Sequence, residues 1–130
     1  MTTVLLDSHV AHWWTAQPES LSAAALAAID AADERAVADV SWLELATMGQ
    51  RRRVALKVPL ETWLRRLDSV LRTVPLSRVI AWRAVTLPRQ FPRDPFDRVI
   101  FATAVEQGWR LVTKDLAMRD FPQHPPVTLW

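Results

Sequence analysis

The chain has 130 residues, half of them hydrophobic, which suits one ordinary domain, so we expect a single domain over residues 1–130. It has no cysteine, which excludes disulfides, thiol catalysis and thiolate zinc sites, and its two glycines are too few for a P-loop or a dinucleotide-binding turn. The sequence has neither a signal-like start nor an apolar run long enough to span a bilayer, so we expect a soluble, cytoplasmic protein without a membrane partner.

The net charge of +2 conceals an uneven distribution of charge along the chain. Residues 1–50 carry one basic and seven acidic side chains, residues 51–93 carry eleven basic and two acidic ones, and residues 94–130 carry four basic and five acidic ones. A basic middle segment (residues 51–93) between acidic flanks suits a protein that attracts a polyanion and holds cations against it. The alternative is an arginine-rich helical surface that is simply solvated.

Apolar periodicity and turn residues predict short strands that alternate with helices. In chain order, the predicted elements are strand 3–6, helix 10–14, helix 18–33, strand 36–40, helix 41–48, helix 60–71, strand 73–76, helix 77–87, helix 95–106, strand 111–113 and strand 127–130. Ser41 and Glu44 have the spacing of a capping box, and Asp94 and Gly108 are the expected cap and end of helix 95–106. The alternation indicates an α/β fold with a central parallel sheet of four to five strands, covered on both faces.

Four acidic side chains lie where such a sheet places its ligands. Asp7 and Asp115 follow predicted strands, and Glu44 and Asp97 lie in the first turns of predicted helices. In open parallel sheets, ligands gather outside the carboxyl ends of the strands. Four carboxylates that meet there repel one another and need a counter-charge, for which Mg²⁺ or Mn²⁺ is suited because these ions prefer oxygen ligands. Such a site indicates phosphodiester hydrolysis.

Each acid also has a structural interpretation. Glu44 could complete a capping box with Ser41, and Asp97 could favour the helix amino terminus electrostatically. Against this, Asp7 is attached to a strand that we expect to be buried, and Asp97 opens the apolar run 99–105, where acids are seldom tolerated without a partner. Asp7 and Asp97 are therefore the strongest candidates from the residues alone.

Hydroxyl and imidazole groups near these acids have two interpretations each. Ser8 and Thr113 could bond a phosphate or a metal-bound water, or they could cap ordinary turns. His9 and His12 could serve as general bases, although packing or surface roles are favoured for both. Neither pair defines a site by itself.

Four stretches of the chain, taken together and in order, resemble the signature stretches of PIN-domain ribonucleases, and most closely the VapC-like toxins of bacterial type II toxin–antitoxin pairs. These stretches are residues 5–10, 41–46, 94–100 and 111–115. Matched by position, Asp7, Glu44 and Asp97 correspond to the metal-binding acids of the family and Asp115 to its more variable fourth acid. Ser8 stands where threonine is commoner, which keeps the hydroxyl.

The resemblance implies a three-layer α/β/α fold, a Mg²⁺- or Mn²⁺-dependent endoribonuclease activity, homodimers, and neutralisation by a small antitoxin encoded alongside. Under this interpretation RNA is the substrate, and the basic middle segment leads it to the acids. The candidate RNA-binding residues are Arg51, Arg52, Arg53 and Arg98, and the candidate antitoxin contacts are Trp13, Trp14 and Trp42. These tryptophans could also stack bases or pack in the core.

Two other functions remain open at this point. A catalytically inactive module could keep the fold and bind RNA or an antitoxin peptide without cleaving RNA. A phosphotransfer receiver domain also clusters aspartates around Mg²⁺ on an α/β sheet, but the basic middle segment and the acid at Glu44 do not suit it.

Overall fold

The computed structural model describes all 130 residues and has a central sheet flanked by helices. The strands are β1 (Thr3–Leu6), β2 (Glu34–Ala38), β3 (Arg72–Val74), β4 (Arg110–Val112) and β5 (Thr128–Leu129). The helices are α1 (Ser8–Ala16), α2 (Ala23–Ala31), α3 (Val40–Gln50), α4 (Leu60–Asp68), α5 (Arg78–Val85), α6 (Pro95–Gln107) and α7 (Leu116–Asp120). All strand pairs are parallel, in the order β3-β2-β1-β4-β5, which confirms the predicted α/β class.

The sheet separates two hydrophobic cores because successive side chains of a strand point to opposite faces. Val4 and Leu6 of β1 pack into one core with residues of α1, α2, α3 and α4. Leu5 packs into the other core with residues of α5, α6 and α7. The strands are therefore covered on both faces and apolar on both, as the predicted three-layer architecture requires. None of the helices is both long and apolar enough to cross a membrane.

The ends of α6 follow the local signals in the sequence. The side chain of Asp94 accepts hydrogen bonds from the backbone N–H groups of Phe96 and Asp97, at 2.8 and 3.1 Å, and so caps the first turn. Gly108 ends the helix with φ of 72°, a left-handed conformation that favours glycine. These contacts confirm the predicted cap and end of this helix.

Three local predictions were wrong. The predicted capping box fails because Ser41 lies inside α3, which begins at Val40, and the buried Ser41 hydroxyl has no hydrogen-bond partner. The predicted strand 36–40 lies two residues earlier, since β2 ends at Ala38. The predicted helix 18–33 is divided into a 3-10 turn over Pro18–Ser20 and α2, which the Ser22 hydroxyl caps.

Candidate active site

Two adjacent strands deliver the first acids to one edge of the sheet. β1 and β4 pair directly, so Asp7 after β1 lies beside Thr113 after β4. The Thr113 hydroxyl donates to Oδ2 of Asp7 at 2.7 Å, and the Ser8 backbone N–H donates to Oδ1 at 2.8 Å. The same Thr113 oxygen accepts from the backbone N–H of Asp115 at 3.0 Å. Thr113 therefore links the two strand-end acids, and both oxygens of Asp7 are bonded.

Burial dominates the electrostatics of Asp7. Loss of water around the carboxyl raises its pKa above the ordinary value, and the nearby charge of Asp115 raises it further. The hydrogen bonds from Thr113 and Ser8, together with the charge of His9, favour the ionised form and partly offset that rise. The chain thus supplies specific donors to a carboxylate that it has removed from water.

Glu44 reaches the same edge from α3, which packs against α1; it lies in the second turn of that helix rather than in the first turn, where it was predicted, because α3 begins at Val40. The Ser8 hydroxyl donates to Oε1 of Glu44 at 2.8 Å, so Ser8 contacts two acids through two different groups. Partial burial is the largest cause of a raised pKa for Glu44, and the charges of Asp7 and Asp94 add to it. Glu44 is oriented toward the site by this bond across the fold.

Asp97 lies in the first turn of α6 and faces the other acids. Its pKa is raised to about 7, first by burial and then by the charges of Asp7, Asp94, Asp115 and Glu44. No hydrogen bond from the chain favours its ionised form. The acidic cluster, defined as Asp7, Glu44, Asp97 and Asp115, is therefore brought together by the fold, and Asp97 is the member most affected by the rest.

The donor set of the acidic cluster fits a divalent cation. All three ion pairs of the structure join other residues, so no lysine or arginine forms an ion pair with the cluster. Its ligands are oxygens, which Mg²⁺ and Mn²⁺ prefer. No three acidic or imidazole groups converge closely enough to hold one ion between them. This spacing is compatible with Mg²⁺, which commonly binds one or two carboxylates and keeps several waters.

A cleft opens beside the strand-end acids. It has a volume of about 400 Å³, and its walls include Asp7, His9, Trp13, Lys114 and Asp115. A larger groove of about 660 Å³ lies near the end of α6 and residues 121–127, but no acidic side chain lines it. The smaller cleft is the better candidate for substrate because two acids of the cluster, Asp7 and Asp115, line it.

The two histidines of α1 have different environments. His9 is exposed, lines the cleft and lies close enough to Asp7 for its charge to lower the pKa of that carboxyl. His12 is buried edge-on against Trp63, and burial lowers its pKa. Only His9 is placed to contact a ligand at the acids.

The three tryptophans singled out from the sequence are also placed differently. The Trp14 indole donates to Asp30 at 3.3 Å and has Arg35 over its ring, while the Trp42 indole donates to Thr73 at 2.9 Å. Both indoles are therefore held by hydrogen bonds to other side chains of the protein. Trp13 lines the cleft beside the acids, so the structure brings only this one directly to the candidate site.

The four candidate RNA-binding arginines separate into two groups. Arg51, Arg52 and Arg53 form an exposed turn after α3, about 10 Å along the helix axis from Glu44. Arg98 is instead part of the scaffold, because its guanidinium donates to five backbone carbonyls. The accepting residues are Ala84, Leu87, Pro88, Phe91 and Pro92. This placement argues against an RNA-binding role for Arg98.

Sequence reasoning missed Lys114 at the site and the structural role of Thr113. Lys114 directly precedes Asp115, which caps α7, a short helix that was not predicted. Thr113 was identified as a possible phosphate contact or turn cap; its hydroxyl does accept from the Asp115 N–H in the turn after β4, and it also donates to Asp7, which was not predicted. Lys114 directly follows the predicted strand 111–113, and a charged residue at that position is the signal that could have drawn attention to it.

The fold and the acidic cluster define a class of protein. The sequence model of the PIN domain matches residues 4–123, and the chain belongs to the PIN domain family, as predicted. It is 54% identical to Ribonuclease VapC22 of Mycobacterium tuberculosis (strain ATCC 25618 / H37Rv) over 130 residues, which is 100% of both chains.

Two solved structures share the fold. One is a toxin–antitoxin complex from Klebsiella pneumoniae, with a TM-score of 0.68, 22% identity, and coverage of 98% of this chain and 96% of that one. The other is VapBC2 from Rickettsia felis bound to a DNA fragment from their promoter, with a TM-score of 0.70, 13% identity and coverage of 98% of both chains. At these identities the likeness establishes the fold alone.

Proposed function

We propose that the protein is an endoribonuclease that hydrolyses RNA phosphodiester bonds at the acidic cluster with Mg²⁺ or Mn²⁺ and acts as the toxin of a toxin–antitoxin pair. The observation that carries the proposal is the raised pKa of Asp97, about 7, beside three other acids of a cluster in which no carboxylate forms an ion pair with lysine or arginine. The 54% identity to a ribonuclease over the full chain supports the same reaction.

A divalent cation, when bound, supplies counter-charge and polarises the scissile phosphate and its attacking water. The chain's own contribution is to hold the carboxylates in place. Thr113 and the Ser8 N–H fix Asp7, and the Ser8 hydroxyl fixes Glu44. Asp97 accepts no bond from the chain, so its oxygens are free to bind the cation.

The partners follow from this proposal. The substrate is RNA, which the exposed Arg51, Arg52 and Arg53 would help to attract because phosphate contacts supply most of the sequence-independent affinity. The same proposal includes a small antitoxin that neutralises the protein, a homodimer, and action in the cytoplasm. The shared fold with a protein of the Klebsiella pneumoniae toxin–antitoxin complex supports the antitoxin as a partner.

The test measures RNA cleavage by purified protein with Mg²⁺, with Mn²⁺ and with chelator. We expect cleavage with either ion and none with chelator. Since a bound cation contributes several kcal/mol of transition-state stabilisation, Asp97→Asn and Asp7→Asn should each lower the rate by about a thousandfold or more. The matched control is Asp68→Asn, which removes an exposed acid at the end of α4.

Circular dichroism of each variant shows whether the fold is retained. Unchanged cleavage by folded Asp97→Asn protein contradicts the proposed site. Tight RNA binding without cleavage in either ion favours the catalytically inactive module instead.

A further inference from the structure

The cleft beside the strand-end acids has two chemically different walls. Asp7 and Asp115 form one wall, and Trp13, His9 and Lys114 contribute to the rest. The proposed function uses only the acidic wall. An aromatic ring and two groups that can carry positive charge, placed next to carboxylates, are an unusual surface for a site that only holds a cation.

The Trp13 ring is held in place by its neighbours rather than by a hydrogen bond. Its centroid lies 5.8 Å from the ring of His9 and 6.1 Å from the ring of Trp130, with both pairs tilted by more than 50°. Trp14 and Trp42, by contrast, both donate hydrogen bonds within the chain. Trp13 is therefore pre-oriented at the cleft, which lowers the entropy cost of binding a flat group against it.

Lys114 brings a positive charge to the same wall. Its Nζ atom lies 5.7 Å from the centroid of the Trp13 ring, within the range of a cation–π contact. Although Lys114 precedes Asp115 in the chain, none of the three ion pairs in the structure includes it. The ammonium is exposed and remains available to an anion that enters the cleft.

A nucleotide matches this combination of groups. A base presents a flat π surface for stacking on an indole, and stacking on aromatic side chains tolerates any base identity. A phosphate next to that base is an anion for the lysine. Because the cleft adjoins Asp7, a base on Trp13 would belong to a nucleotide immediately flanking the scissile phosphate.

We propose that Trp13 and Lys114 form a nucleotide subsite, in which the Trp13 ring stacks the base that flanks the cleaved bond and Lys114 contacts its phosphate. This inference rests on the proposed function, since it assigns part of the RNA to a place beside the acids. Trp13 is a binding residue here and takes no part in bond breaking. The subsite fixes which bond of a flexible single strand reaches the carboxylates.

The experiment couples a protein change to an RNA change. The probe is a fluorescein-labelled single-stranded oligoribonucleotide that the native protein cleaves once, together with versions that carry one abasic ribose at each position in turn. Binding to the Asp97→Asn protein is measured by fluorescence anisotropy, with and without Trp13→Ala. Cleavage by the native protein and by Trp13→Ala is measured separately as KM and kcat.

For intact RNA we expect Trp13→Ala to weaken binding by about 5- to 50-fold and to raise KM by a similar factor. Trp13→Phe should recover most of the affinity because it restores an aromatic face. When the flanking nucleotide is abasic, Trp13→Ala should cause no further loss. Lys114→Met should weaken binding of intact and abasic RNA alike and reduce the salt dependence of binding.

The matched control is Trp82→Ala, which removes a tryptophan that is 67% exposed on α5 and does not line the cleft. The protein with Trp82→Ala should bind the RNA as tightly as the protein that keeps Trp82. The subsite is overturned if Trp13→Ala weakens binding equally for every abasic position, or if it has no effect at all. Both results leave the proposed function standing, because loss of cleavage in Asp97→Asn tests that function independently.

Discussion

The ends of strands β1 and β4 and the helices α3 and α6 bring acids to the same cluster, but the two groups of acids have different hydrogen-bond partners. At the strand ends, both oxygens of the partly buried Asp7 accept hydrogen bonds, and Thr113 connects Asp7 to the backbone of Asp115. On the helices, Glu44 in the second turn of α3 accepts one bond from Ser8, and Asp97 in the first turn of α6 accepts none from the chain. The strand side of the cluster, defined as Asp7 and Asp115, is therefore held by hydrogen bonds within the protein, and the helix side, defined as Glu44 and Asp97, has fewer of them.

This difference shows which acids depend on a cation. Hydrogen bonds to a buried carboxylate offset part of the cost of removing it from water. Asp97 lacks such bonds and is repelled by four neighbouring acids, which raises its pKa to about 7, so a bound positive charge would favour its ionised form near neutral pH. We therefore expect a cation to act mainly on the helix side of the cluster.

The largest expected effect is the stabilisation of the native protein by Mg²⁺ or Mn²⁺. An ion that binds only the folded state stabilises it by about 2.7 kcal/mol at a hundred times its Kd, which corresponds to a rise in Tm of about 5–10 °C for a domain of this size. Asp97→Asn should lose most of this rise, and Asp68→Asn should keep it. Thermal melts with and without each ion measure the difference. An equal rise in Tm for both variants would contradict the expectation that the cation binds at Asp97.

The second effect concerns the strand side. Thr113→Val keeps the shape of a fully buried residue but leaves Oδ2 of Asp7 and the Asp115 N–H without a partner. We expect a loss of about 2 kcal/mol in the free energy of unfolding, measured in urea without metal. Thr103→Val is the matched control, since that buried hydroxyl bonds only the Val99 carbonyl within α6. Equal losses in the two variants would refute a specific role for Thr113.

The third effect is a pH dependence that belongs to the helix side. The Asp97 carboxyl has its ordinary pKa of 3.8 in the unfolded chain and a pKa of about 7 in the folded protein. Below about pH 4 the carboxyl is protonated in both states, so its burial beside the other acids does not destabilise the fold. This contribution to stability is lost as the pH rises through about 7, because the folded protein then holds a partly buried, repelled carboxylate. In metal-free protein, Asp97→Asn should match the native stability near pH 4 and exceed it near pH 8. The excess should be about 1–2 kcal/mol, because Asp97 is only partly buried and water screens the repulsion.

Urea unfolding at a series of pH values in this range measures both proteins. A stability difference that does not change with pH would mean that repulsion at Asp97 is absent. Adding Mg²⁺ near pH 8 should reverse the order of the two proteins, because the cation stabilises only the native carboxylate.

The features that sequence patterns predicted are those set by neighbours in the chain. Strand β1 and its terminal Asp7 follow from a short apolar run, and the ends of α6 follow from the local conformations of Asp94 and Gly108. Arg98 shows the limit of this reasoning. Its sequence suggests a surface cation, but the proline-containing loop before α6 folds around it and supplies most of the carbonyls that it binds.

The contacts that organise the acids were beyond such patterns because they join distant residues. Thr113 and Asp7 are 106 residues apart, and Ser8 and Glu44 are 36 apart. The local spacing of Ser41 and Glu44 suggested a capping box, but packing of α1 against α3 gives Glu44 a different serine. Asp7, Asp97 and Asp115 could be proposed from their positions after strands and at a helix start, and Glu44 mainly from the family resemblance, whereas their hydrogen-bond partners required the tertiary structure.

The smallest expected effect tests whether Ser8, rather than Ser41, holds Glu44 in place. Ser8→Ala removes the hydroxyl that donates to Glu44, while Ser41→Ala removes a buried hydroxyl without a partner. We expect Ser8→Ala to lower the free energy of unfolding by about 1 kcal/mol and Ser41→Ala to leave it unchanged or slightly higher. The loss is smaller than for Thr113→Val because Glu44 is only half-buried, so water can replace the missing donor. If Ser41→Ala were the more destabilising of the two, Glu44 would be held by its own helix, and the fold would not orient it from across the site.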